Sequence, residues 1–67
     1  ASLGLPGALT GPVERGDVGT VRRHLGAAGS LRPLYAALGR VAVEIARAKG
    51  TIDARTAARL DSLFGRR

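Results

Sequence analysis

Apolar residues fall into three helical stretches, behind a start that keeps no period. Val18, Val21, Leu25 and Ala28 recur at three- and four-residue steps and predict a first helix over about 17–28. Asp17 is its expected N-cap, since a carboxylate there accepts free amide protons and suits the positive end of the helix dipole. Gly26 or Gly29 ends it as a left-handed cap. Leu31, Leu34, Tyr35, Leu38, Val41, Ala42, Ile45 and Ala48 form a continuous apolar stripe, predicting a long helix over 31–49. Ser30 is its expected cap, and Pro33 sits in the first turn, where a missing amide proton costs nothing. A third helix over 53–64 is capped by Thr51 or Asp53. In it Ala54, Ala57, Leu60, Leu63 and Phe64 face inward, and Arg55, Arg59 and Asp61 face out. Residues 1–16 read as a Gly/Pro-rich loop, with Leu3, Leu5 and Leu9 pinning it to the core, or alternatively as the frayed end of a helix whose body lies upstream. No stretch alternates at period two. The expected fold class is all-α: a small bundle of about three helices forming a single domain over 1–67.

Gly39 interrupts the long stripe at up to about 1 kcal/mol relative to Ala. It reads either as drift or as a close helix crossing. Arg40, Glu44 and Arg47 read as a solvated face.

Composition sharpens this picture. A 67-residue chain buries only about 60% of its unfolded surface. Its core of Leu, Val, Ala and one Phe, without Cys or Trp, is thin. A partner is therefore expected, with self-association through the Leu31–Ala48 stripe. The chain reads as a piece of a longer protein. The net charge of +6 is almost all arginine and admits anionic ligands. One Tyr and one Phe make no base-stacking platform, which places nucleic acid second. No apolar run approaches the roughly 20 residues of a membrane span. No signal-peptide pattern is present, and the absence of cysteine fits a reducing compartment, so the expected location is cytoplasmic.

Catalytic signatures are missing. Gly4, Gly7 and Gly11 do not form a dinucleotide fingerprint, there is no phosphate loop, and His24 is the only histidine, so no metal site is expected. The run from Thr10 to Asp17 carries the remaining chemistry. Arg15 suits a carboxylate or phosphate held by two parallel hydrogen bonds, and Thr10 adds a hydroxyl. Gly11 and Gly16 permit close approach, and a helix N-terminus follows. Equally, Asp17 only caps the helix while Arg15 pairs with it or with Glu14. His24, two helical turns beyond Asp17, is either a half-buried histidine bonded to a carbonyl or a polar neighbour of Arg15. Tyr35 reads as core. The candidate substrate-binding residues are Thr10, Gly11, Arg15 and His24.

The run Ala8-Leu9-Thr10-Gly11-Pro12-Val13-x-Arg15-Gly16-Asp17-x-x-Thr20-Val21-x-x-His24-Leu25 resembles the C-terminal domain of bacterial Rossmann-like proteins whose second half is a domain of unknown function. Leu34-Tyr35-x-x-Leu38 and Gly50-Thr51-Ile52-Asp53 fit the same layout. Those proteins are similar to ketopantoate reductase, pyrroline-5-carboxylate reductase and 6-phosphogluconate dehydrogenase. The resemblance implies an N-terminal Rossmann domain that binds NADP and a C-terminal helical domain supplying dimer contacts and part of the pocket for a small anionic substrate. This chain would hold no cofactor alone and would not catalyse alone. It departs from the pattern in lacking the cofactor domain and in a short connection from Leu25 to Tyr35. The leading expectation is a dimerising, substrate-side domain of an NADP-dependent oxidoreductase. The alternatives are a basic module for nucleic acid or an acidic partner, and a purely structural dimerisation domain.

Overall fold

Left-handed glycines mark where the helices stop. In the computed structural model, which describes residues 10–65, Gly16, Gly29, Gly50 and Gly65 all have positive φ. The first described helix, α1, covers 10–14. Its end is a complete Schellman stop, in which the Gly16 amide donates to the Val13 carbonyl at 3.0 Å and the Asp17 amide to Pro12 at 2.8 Å. Residues 10–14 are therefore helical, where the sequence reads as loop. Gly11 and Pro12 mask the helical period, but Pro12 and Val13 are both buried, and that burial holds residues 10–14 in helix. Leu3 and Leu5 lie outside the described residues, as does Leu9.

Helix α2 spans Val18–Ala27. Asp17 caps it as expected, accepting from the Thr20 amide at 3.1 Å and the Thr20 hydroxyl at 2.7 Å. Gly26 is helical, and Gly29 makes the left-handed turn. A 3-10 turn, Gly29–Leu31, then leads into helix α3, Arg32–Lys49. This turn displaces the expected Ser30 cap. Leu31 holds the N-cap position, no side chain bonds there, and Ser30 is spent inside the turn. Pro33 occupies the first turn of α3, where its lack of an amide is harmless.

Helix α3 ends in a second Schellman stop, with the Gly50 amide donating to Arg47 at 3.1 Å and the Thr51 amide to Ala46 at 3.0 Å. Helix α4 follows over Ala54–Leu63. Of its two candidate caps, Asp53 does the work, accepting from the Thr56 amide at 2.8 Å. The Thr51 hydroxyl instead donates to the Ala46 carbonyl at 3.3 Å.

The core is Val13, Val21, Leu25, Tyr35, Ala42, Val43, Ala46, Ile52, Ala57, Leu60 and Phe64. Gly39 belongs to a close crossing, because a Cβ there would run into the Phe64 ring. Arg40 secures that crossing by donating to the Phe64 carbonyl at 2.8 Å. Ala54, expected to face inward, is exposed at the first position of α4.

The long stripe divides. Tyr35, Gly39, Ala42, Val43 and Ala46 face the bundle. Leu31, Leu34, Leu38, Val41 and Ile45 are between 38% and 57% exposed, and Ala48 is exposed as well. Helix α3 is apolar over too wide an arc for its neighbours to cover.

Candidate functional site

The turn from α1 into α2 carries two kinds of geometry. Gly16, in the left-handed stop, lies against α4, where a Cβ would come within 3.0 Å of Thr56 Cγ2. Its freedom serves a helix packing, and its positive φ serves the stop. Gly11 lies under Arg15, since a Cβ there would sit 3.3 Å from Arg15 Nη1. A bare backbone at position 11 thus lets the guanidinium fold back over α1.

Arg15 reaches Asp17, with Nη2 3.8 Å from Oδ2, while its side chain stays 65% exposed. The same carboxylate receives both Thr20 bonds, and Arg23 Nη2 donates to the Thr20 hydroxyl at 3.0 Å. The Thr20 hydroxyl and amide hold the Asp17 carboxyl below its ordinary range, with smaller help from the Arg15 and Arg23 charges. The cap reading of Asp17 and its pairing with Arg15 therefore coexist. Most of the guanidinium still faces water.

Thr10 lies elsewhere. With Glu14, Ala42, Ile45 and Lys49 it lines a groove of about 270 Å³ between α1 and α3. Glu14 and Lys49, far apart in sequence, form an ion pair across it. The floor is aliphatic and the rim is ionic. Gly11, Arg15 and His24 are not among the groove's described lining.

His24 faces α3. Its Nδ1 lies 3.1 Å from the Tyr35 hydroxyl, and the rings meet edge to face with centroids 6.3 Å apart. Burial raises the Tyr35 pKa, so the phenol keeps its proton. A neutral imidazole accepts that proton's hydrogen bond, and an imidazolium donates to the phenol oxygen instead. The contact ties α2 to α3.

The four candidate binding residues therefore occupy three places: Thr10 in the groove, Gly11 with Arg15 at the turn, and His24 at the α2–α3 contact. The sequence reading missed Lys49 as a site residue and Glu14 as its partner, because a pair 35 residues apart leaves no local signal. Among the described residues no cluster of His, Cys, Asp or Glu could hold a metal ion. No helix of the described residues is long and apolar enough to cross a membrane.

One family model matches residues 1–42, that of a domain of unknown function (DUF2520). The match ends at Ala42, in the middle of α3. No curated protein and no solved structure matches the chain.

Proposed function

The chain belongs to the DUF2520 family of domains of unknown function, and from that premise we propose that it is the dimerising, substrate-side helical domain of a larger NADP-dependent oxidoreductase. The observation that carries the association is the outer stripe of α3, with five large aliphatic side chains about half exposed. Contiguous apolar surface of this kind marks an interaction site in a small domain.

The oxidoreductase setting is supported by the resemblance of the Ala8–Leu25 run to the second domain of Rossmann-like proteins. The glycines here do not make a dinucleotide fingerprint, so NADP, the hydride carrier, would be held by the companion domain. The α1–α2 turn is the part of this chain that would face the cleft. There Arg15, with its exposed guanidinium, would bind a carboxylate or phosphate of the substrate, and Asp17 would hold it in place from behind.

The test uses the complete gene product. Arg15→Ala should weaken binding of a small anionic substrate roughly tenfold to a hundredfold, the worth of a hydrogen-bonded charge. The domain should keep its helicity. Unchanged affinity and turnover would reduce the turn to a structural role. Sedimentation of this chain should show a dimer, and a folded monomer at every concentration would remove the association.

A further inference from the structure

The large exposed aliphatic side chains from the end of the 3-10 turn through α3 fall at 31, 34, 38, 41 and 45, and exposed Ala48 continues their alternating steps of three and four, with exposed Ala37 on the flank. That is the a/d spacing of a heptad seam, the pattern a second helix fills by knobs into holes. The inward set, Tyr35, Gly39, Ala42, Val43 and Ala46, lies on the adjoining flank and is already covered. At 100° per residue, Arg40 and Arg47 stand more than about 100° round the helix from the centre of the seam, while Glu44 flanks it on the side of Val41 and Ala48. The seam itself carries no charge.

Size points the same way. Five half-exposed aliphatic side chains offer roughly 450 Å² per copy, and two such faces approach the ~1,000 Å² at which a specific interface begins. That is about a tenth of the chain's 4219 Å² surface, the share a small protein commits to one partner.

We propose that α3 pairs antiparallel with α3 of a second copy, with Leu34 against Ile45 and Leu38 against Val41 of the partner. The inference rests on the self-association reading and adds its face and register. In an antiparallel pair each a position meets a d position, so Leu31 also meets Ala48 of the partner subunit. A two-fold axis then passes between residues 39 and 40. Every leucine faces a side chain of another shape, and each contact occurs twice. The helix dipoles oppose. A parallel pair would instead set the two dipoles side by side in the same sense.

The register has a consequence for the groove. Ile45 belongs both to the seam and to the wall shared by Thr10, Glu14, Ala42 and Lys49. Leu34 of the partner subunit lies over Ile45, so each groove gains one wall from the second copy.

The chain has no cysteine, so introduced thiols report alone. A variant carrying both Leu34→Cys and Ile45→Cys should form a covalent dimer on mild oxidation. Each single variant should not, because its own copies stand eleven residues, about 16 Å, apart along the axis. Leu38→Asp should weaken dimerisation at least tenfold in sedimentation with unchanged circular dichroism. A disulfide from Leu34→Cys alone would show a parallel pair and overturn the proposal. A dimer that neither cross-links in the double variant nor responds to Leu38→Asp would overturn it too, yet leave association by another face standing. A monomer throughout would remove both.

Discussion

Gly26 and Gly16 are the same residue in opposite situations. Gly26 lies inside α2 with no atom near a built Cβ, whereas Gly16 sits at φ 68° with Thr56 against it. Gly26→Ala should therefore stabilise the chain by about 0.5–1 kcal/mol, because it removes only unfolded freedom. Gly16→Ala should cost about 1–2 kcal/mol for the left-handed backbone alone. Urea unfolding of the two variants should show shifts of opposite sign. The caps make a pH prediction. Asp17 and Asp53 both titrate below their ordinary 3.8 in the fold, chiefly through hydrogen bonds from Thr20 and Thr56. Depressed carboxyl pKa values stabilise the native state above the unfolded value, and that stability is lost as pH falls through the folded ones. The melting temperature should thus hold near neutrality and decline as pH drops through the region below 3.8. Asp17→Asn with Asp53→Asn should flatten that decline, and an unchanged slope would contradict the cap geometry.

At the scale of elements, the α3–α4 crossing depends on an absent side chain. The Phe64 ring fills the space over Gly39, and Arg40 binds the Phe64 carbonyl. Gly39→Ala should cost about 1–3 kcal/mol as an overpacking, despite the better helix propensity of alanine. Phe64→Ala should cost about 3–5 kcal/mol. The two changes together should cost less than their sum, since the methyl enters the space the ring leaves. A double-mutant cycle by denaturant unfolding measures this, and strict additivity would mean the two residues do not share that space. The α2–α3 contact is milder. Tyr35→Phe should cost about 1 kcal/mol by leaving His24 Nδ1 without its partner.

For the molecule as a whole, eleven residues form the described core, while a second row of aliphatic side chains of similar size looks outward. Under the proposed pairing, such a chain would gain stability from its second copy by mass action. Its melting temperature should rise with protein concentration, and Leu38→Asp should abolish that rise without unfolding the helices. A concentration-independent melting temperature in the parent chain would argue against the dimer. The candidate site follows the same logic, because the groove beside Thr10 is lined from both α1 and α3, and its Ile45 is one of the outward aliphatic side chains.

Local chemistry was enough to read the helical class, the long α3, and the caps at Asp17 and Asp53. Each depends on residues three or four apart, within one turn of backbone. The 3.6-residue period also carried the apolar arc of α3. Whether that arc faced one neighbour or two was not local. It depended on where α2 and α4 packed, and hence on Phe64 meeting Gly39, 25 positions away. Residues 10–14 were misread for a related reason, since Gly11 and Pro12 hide a helix that the burial of Val13 enforces. The Glu14–Lys49 pair and the separation of Thr10, Arg15 and His24 likewise came from packing. Sequence by itself determined the elements and their ends. Tertiary structure alone decided which apolar face was left open and which polar groups met, because both depend on contacts between residues that are neighbours only in space.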